Sequence, residues 1–101
     1  MKLLTSSDRA YLRGMANGID TIFQIGKDGI GDNFITQIIS ALEARELIKI
    51  RLLETCEYTP KQAAEMICAK TGAQSVQIIG RKVVFYKQAE KQENRHITLP
   101  R

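Results

Sequence analysis

The stretch Thr21–Asp32 reads TIFQIGKDGIGD, which predicts a short apolar strand, a glycine-bounded loop and the start of a helix. The loop is Gly26-Lys27-Asp28-Gly29, and a third glycine, Gly31, precedes the helix. Glycine at both ends lets the loop backbone approach a ligand closely, because neither position carries a Cβ. A helix N-terminus also presents unpaired N–H groups and the positive end of its dipole. The stretch therefore indicates an anion-binding loop, with phosphate as the obvious ligand.

Two interpretations of this loop stay open on the residues alone. Two glycines three positions apart often form only a tight turn. The position between a strand and a helix, with Lys27 at the tip, favours contact with phosphate. A nucleoside-triphosphate loop is excluded, because the pattern Gly-x-x-x-x-Gly-Lys-Ser/Thr is absent.

The helix after the loop has the clearest hydrophobic periodicity in the chain. It is predicted from Asp32 to about Arg45, and its apolar face needs a sheet to cover. The residues of that face are Phe34, Ile35, Ile38, Ile39 and Leu42.

Capping signals predict two further helices. The first runs from Ser6 to about Ala16, with Thr5 as N-cap and Asp8 completing a capping box. The other begins at Thr59-Pro60, an N-cap followed by proline at the first helical position, and stops at Gly72.

Alternating residues predict the remaining strands. In residues 47–53, Ile48, Ile50 and Leu52 point to one face, and Lys49 and Arg51 to the other. Residues 75–79 and 82–87 form two more strands, and the short connection between them indicates an antiparallel hairpin.

The predicted class is α+β, a two-layer αβαβαββ fold. Its mixed four-stranded sheet has the first two strands parallel.

Length and charge limit the domain organisation and the partners. The 101 residues, 44% of them hydrophobic, suffice for one compact core. We predict a domain over residues 1–87 and a polar tail over 88–101. Residues 88–94 are expected to be mobile, and Ile97 and Leu99 to dock on the domain. The net charge of +4 favours a polyanionic partner.

Several functional classes lack the residues they need. Cys56 and Cys68 are twelve positions apart and the single histidine, His96, lies in the tail, so no zinc site or catalytic base is evident. Glu43 and Glu46 at a helix end are interpreted as solvated. Residues 1–8 have too few apolar residues for the core of a signal peptide, and no apolar run approaches the length expected of a membrane span. We expect a monomeric cytoplasmic protein that is not an enzyme and needs no cofactor.

Basic residues suggest a contact surface. Lys49 and Arg51 on one strand face could join Arg81, Lys82 and Lys87 of the hairpin, on the side of the sheet opposite the helices. An ordinary solvated face is the alternative for any single one of them. Two more basic residues, Arg9 and Arg13, would join the patch only if the first helix packs nearby.

Aromatic residues for base stacking are scarce. With 6% aromatic residues, contact with a nucleic-acid backbone and its shape fits better than reading of single strands by stacked bases. Tyr86 is one candidate for an exposed stacking residue.

Several short motifs are spread over nearly the whole chain. They are Leu4-Thr5-Ser6 to Tyr11-Leu12-Arg13, Ile25-Gly26-Lys27-Asp28-Gly29, residues 41–50 (ALEARELIKI), Thr71-Gly72-Ala73, Ile79-Gly80-Arg81 and Ile97-Thr98-Leu99-Pro100. Together they resemble the CRM domain family (chloroplast RNA splicing and ribosome maturation) in its stand-alone bacterial YhbY-like form. Arg45 is a departure, since family members often carry histidine there.

The resemblance implies an RNA-binding domain whose Gly-x-x-Gly loop is likened to that of KH domains. It also implies a fold similar to the C-terminal domain of translation initiation factor three, and an association with precursors of the large ribosomal subunit. The partners expected from it are precursor ribosomal RNA and pre-ribosomal particles.

The resemblance and the charge pattern together define one candidate RNA-binding set. The alternative function is a protein–protein adaptor that uses the apolar tail residues Ile97 and Leu99 with the first helix. The candidate RNA-binding residues are Gly26, Lys27, Asp28, Gly29, Gly31, Lys49, Arg51, Arg81, Lys82, Arg9 and Arg13.

Overall fold

Helices and strands alternate along the chain in the predicted order. The computed structural model describes residues 3–100; the ends of the predicted domain and tail, at residues 1, 2 and 101, lie outside this range. The elements are α1 (Ser6–Ala16), β1 (Thr21–Ile25), α2 (Asp32–Arg45), β2 (Leu47–Leu52), α3 (Pro60–Thr71), β3 (Gln74–Ile79), β4 (Lys82–Tyr86) and a short 3-10 helix (Gln92–Asn94).

The predicted helix starts are confirmed in atomic detail. Thr5 Oγ1 accepts from the Asp8 N–H at 3.1 Å, and the Asp8 carboxylate accepts from the Thr5 N–H at 3.0 Å. Thr59 and Gln62 form the same reciprocal capping box at α3, with Pro60 at the first position. Each box satisfies N–H groups that have no partner inside the helix.

The four strands form one mixed sheet in the order β1-β2-β4-β3. Strands β1 and β2 are parallel, and β4 is antiparallel to both of its neighbours, as predicted. One end of the sheet therefore collects the C-terminal ends of β1, β2 and β3 and the start of β4. We call this the loop end, because the Gly26–Gly29 loop leaves β1 there.

One face of the sheet is covered by α2 and α3. The alternation in β2 is confirmed, since Ile48, Ile50 and Leu52 are all buried on this face. The other core residues here come mainly from the two helices; they include Ile35, Ile38, Leu42, Ala63, Ala64 and Ile67.

The opposite face carries a second core, built by α1. Leu12 and Ala16 pack with Leu47 of β2 and Val84 of β4. Helix α1 lies on the other side of the sheet from α2 and α3, an arrangement that the two-layer prediction left out. It covers the half of this face away from the loop end, so the half nearer the loop end stays open.

The C-terminal segment is held by two carboxylates that were predicted to be solvated. Glu46 is fully buried, with a φ of 65°, and accepts from the N–H groups of Ala89, His96 and Ile97 at 2.9, 2.7 and 3.0 Å. Glu43 accepts from the Glu90 N–H at 2.7 Å, and also from Lys91 and Asn94. The prediction for Glu46 is therefore wrong, and mobility of residues 88–94 does not fit these contacts.

The last described residues pack against the second core. Ile97 is buried in the second core, and Leu99 packs against the same cluster. Within the described part of the chain, no helix is long and apolar enough to cross a membrane.

Candidate nucleic-acid interface

The Gly26–Gly29 loop is a tight turn that exposes its two central residues. The Gly29 N–H donates to the Gly26 carbonyl at 3.1 Å, and Gly29 has a φ of 72°. This left-handed conformation strains any residue with a Cβ, which explains glycine at the second position. Lys27 and Asp28 are exposed at the tip, so the turn itself has no net charge.

The connection between β2 and α3 supports the turn from behind. A Cβ on Gly26 would lie 3.4 Å from Thr55 Oγ1, and a Cβ on Gly29 would lie 3.5 Å from Tyr58 Cε2. The Leu53 N–H donates to the Ile25 carbonyl at 2.9 Å. The sequence analysis did not predict this support. The two segments come together only because β1 and β2 pair in parallel, and residues so far apart in the chain produce no recognisable local sequence pattern.

The start of α2 opens onto the same groove as the loop. Gly31 is the N-cap, is exposed, and offers no side-chain cap to the first N–H groups of the helix. An anion could therefore occupy the place of a capping side chain. The lining of this groove includes two carboxylates, Asp28 and Asp32, and no cation; Lys27 lies beside it at the tip of the turn. The groove is lined by Gln24, Gly26, Asp28, Gly29, Gly31, Asp32, Asn33 and Phe34.

Two cations stand side by side on the open half of the sheet. Arg51 and Lys82 are direct partners across β2 and β4 and are both exposed. The Leu52 N–H donates to the Arg81 carbonyl at 2.7 Å, which makes Arg51 and Lys82 a non-hydrogen-bonded pair, the type whose side chains approach most closely. Neither has a salt bridge to any residue from 3 to 100. Like charges placed this way destabilise a sheet by a few tenths to about 1 kcal/mol.

Arg81 is held rigidly beside this pair. Its Nε donates to the Leu52 carbonyl at 3.0 Å and its Nη2 to the Leu53 carbonyl at 2.7 Å. The side chain thereby ties the β3–β4 turn to the end of β2. Because the residue is still exposed, its positive charge remains at the loop end.

The other predicted basic residues are not brought to the loop end. Lys49 is half-buried at mid-sheet, opposite Val84. Arg9 donates a hydrogen bond to the Ser75 carbonyl at the far end of β3, and half-buried Arg13 lies one turn later on α1. Lys87 is also at the far end, where it pairs with Glu90 at 3.5 Å.

Among residues 3–100, no aromatic side chain is exposed on the open half of the sheet. Tyr86, predicted as a possible exposed stacking residue, is 1% exposed and belongs to the second core. Tyr11, on α1, is the one exposed aromatic side chain among residues 3–100, at 44%. A polyanion on the open half of the sheet would therefore not be bound by stacking of its bases on aromatic side chains.

Two known proteins are similar to this chain over almost its whole length. A relative from Bacillus subtilis, named "Probable RNA-binding protein YqeI", is 45% identical over 98 residues, which cover 97% of this chain and 100% of the relative. A protein from Haemophilus influenzae named "RNA-binding protein" is 29% identical over 101 residues, or 100% and 99% of the two chains.

A solved structure has the same fold. The solution structure of SAV1595 from Staphylococcus aureus, a hypothetical protein suggested to bind RNA, has a TM-score of 0.77 and 45% sequence identity. The match covers 97% of this chain and 100% of that one.

The family model for the CRS1/YhbY (CRM) domain matches residues 4–87, which include the loop, Arg51 and the β3–β4 hairpin. The chain therefore belongs to the CRS1/YhbY (CRM) domain family.

Proposed function

We propose that this protein binds RNA through the loop end of its sheet and assists assembly of the large ribosomal subunit in the cytoplasm. It would hold a segment of precursor ribosomal RNA without catalysing a reaction. The observation that carries the proposal is the exposed pair Arg51 and Lys82, two adjacent cations without a counterion among the described residues. The names of the two relatives support RNA as the partner.

The pair is better explained by a polyanion than by solvent. Adjacent like charges cost folding free energy, and the phosphates of a nucleic acid would offset this cost when they bind. Such neutralisation releases condensed counterions and supplies most of the salt-dependent affinity of nucleic-acid binders. Arg81, fixed by two carbonyls, adds a third cation within the same region.

The loop would contribute contacts of a different kind. Its turn carries one cation and one anion, Lys27 and Asp28, and the neighbouring Asp32 is also acidic. Binding at the loop would therefore rest on backbone N–H groups of the turn and of the first turn of α2, assisted by Lys27. Gly26, Gly29 and Gly31 let a phosphate approach the backbone of the groove, since none of them carries a Cβ.

The adaptor alternative loses part of its proposed surface. It used Ile97 and Leu99 with the first helix, and Ile97 is buried in the second core while Leu99 packs against it. On the helix, Tyr11 and Met15 stay exposed at 44% and 37%, but the like-charged pair Arg51 and Lys82 favours a polyanion over an apolar partner.

The loop is tested by the double variant Gly26→Asp, Gly29→Asp, assayed against fragmented bacterial large-subunit ribosomal RNA. Each added carboxylate repels phosphate, and the new Cβ atoms make ordinary contacts at 3.4 and 3.5 Å. Strain at the left-handed Gly29 should cost about 1 to 2 kcal/mol of stability, so thermal unfolding should remain cooperative. We expect RNA binding to be abolished.

The matched control is Gly14→Asp with Gly72→Asp. It adds the same charge and also fills one left-handed position, since Gly72 has a φ of 80°, but both sites lie away from the loop end. This variant should bind RNA like the wild type. Full affinity in the folded loop variant would eliminate the loop as a contact site.

The ribosomal part of the proposal has its own test. Tagged wild-type protein and the loop variant would be sedimented from cell lysate on a density gradient. We expect the wild type to migrate with large-subunit precursors and the variant to remain near the top. If both remain at the top, the assembly role is rejected and other RNA partners must be sought.

A further inference from the structure

Four residues form a row across the open half of the sheet. Gln24 of β1 pairs with Arg51 of β2, Arg51 pairs with Lys82 of β4, and Lys82 pairs with Ile79 of β3. Direct partners on neighbouring strands share a face, so all four lie on the side that α1 leaves uncovered. Each is exposed, and Ile79 reaches 52%.

Gln24 connects this row to the loop. The residue lines the groove formed by Gly26, Gly29 and Gly31, and it is also the cross-strand neighbour of Arg51. Its side-chain amide makes no hydrogen bond with the described part of the chain. The groove and the two cations are thus parts of one continuous surface, with a neutral amide at the junction.

We propose that bound RNA crosses the strands of the sheet, from the loop over Gln24, Arg51 and Lys82 to Ile79 at the β3 edge. This inference rests on the proposed function and deepens it. With neighbouring strands about 4.8 Å apart, the row spans roughly 14 Å, enough for more than one phosphate of a strand. Gln24 and Ile79 then become contact residues, in addition to the loop and the cations.

The chemistry of the two end residues suits RNA. A glutamine amide both donates and accepts hydrogen bonds, so Gln24 can bind a phosphate oxygen, a base edge or a ribose 2′-hydroxyl. An exposed isoleucine at the other end can cover the apolar face of a base or sugar. Exposed apolar groups cost free energy in water, so a ligand that covers Ile79 would be favoured.

Charge substitutions at Gln24 test the path directly. Gln24→Lys should raise affinity for fragmented large-subunit ribosomal RNA about fivefold. The reason is that one more cation close to a phosphate adds the attraction of one pair of opposite charges in water. The substitution should also steepen the dependence of log affinity on log salt by about 0.7 to 0.9. Gln24→Glu should change affinity by a similar factor in the opposite direction.

The matched control is Gln92→Lys. Gln92 is exposed on the 3-10 helix that packs beside α2, outside the proposed path. The control adds the same charge to the whole protein, so any general effect of net charge will appear in it. We expect a smaller gain in affinity than Gln24→Lys produces and an unchanged salt slope.

The far end of the path is tested by Ile79→Asp against Ile39→Asp. Both residues are exposed isoleucines, and Ile39 lies on α2. A carboxylate at position 79 should weaken RNA binding severalfold, whereas one at position 39 should not.

The outcomes separate this inference from the proposed function. RNA binding that depends on Arg51 and Lys82 but is unchanged by both Gln24 substitutions and by Ile79→Asp would overturn the path and leave the function standing. A wild-type protein that binds no RNA would overturn both.

Discussion

At the scale of single residues, Glu46 links the central fold to the tail. Its carboxylate is removed from water and accepts three backbone N–H bonds from residues 89–97. Burial by itself raises the pKa of this carboxyl, but the three N–H donors and His96 outweigh that effect and lower the pKa below its ordinary value. A lowered folded-state pKa means that the ionised form stabilises the fold.

The predicted effect of Glu46→Gln follows from the lowered pKa of Glu46 in the folded state. The contribution of Glu46 should be complete at pH values above the unfolded-state pKa and should be lost as the pH falls through the folded-state pKa. At pH 7 the variant should lose about 1 to 3 kcal/mol, because an amide N–H₂ would face a buried N–H. The difference from wild type should shrink in acid. Urea unfolding at several pH values measures both effects.

Glu65→Gln is the control for this experiment, since Glu65 is exposed on α3. It should leave the free energy of unfolding nearly unchanged at every pH. Equal stability of Glu46→Gln and wild type at pH 7 would contradict the assigned role of Glu46.

Lys82 shows how binding and stability oppose each other at one residue. Lys82→Glu converts the like-charged pair with Arg51 into an opposite pair, which should raise the free energy of unfolding by up to about 1 kcal/mol at low salt. The same change should weaken RNA binding. Lys82→Gln removes the repulsion without adding an attraction. Its free energy of unfolding and its RNA affinity should therefore both lie between those of the wild type and those of Lys82→Glu. A variant that is less stable and binds RNA unchanged would refute this interpretation.

At the scale of elements, the β2–α3 connection positions the loop. The half-buried Tyr58 ring lies behind Gly29, so Tyr58→Ala should free the turn and lower RNA affinity severalfold. It should also cost about 2 kcal/mol of stability, less than removal of a fully buried aromatic ring. Tyr58→Phe keeps the ring and should restore both properties. Affinity and stability would be compared at a temperature where all variants are folded, and full affinity of Tyr58→Ala would show that the turn needs no support.

At the scale of the whole molecule, the charges should set the salt dependence of binding. Four exposed cations at the loop end, Lys27, Arg51, Arg81 and Lys82, have no salt bridge to any described residue. If each neutralises one phosphate, log affinity should fall with log salt with a slope of about 3 to 4. Titrations of labelled RNA at increasing potassium chloride measure this slope. A slope near zero would indicate a mainly apolar contact instead.

The sequence by itself determined the elements of this protein and its family. The capping boxes at Thr5 and Thr59, the alternation in β2 and the loop between β1 and α2 involve residues that are neighbours in the chain, so local preferences decide them. The parallel and antiparallel pairings also followed, because strand–helix–strand units and short hairpins permit few arrangements.

Only the tertiary structure decided which residues meet. The pairing of β2 with β4 places Arg51 opposite Lys82. The packing of α1 on the second face of the sheet leaves that pair uncovered, and it places Arg9 at the far end of β3, where Arg9 donates a hydrogen bond to the Ser75 carbonyl. Glu46 looked like a solvated residue at a helix end because its three partners lie more than forty positions away. Contacts between such distant residues depend on strand register and helix packing, which short-range patterns do not encode.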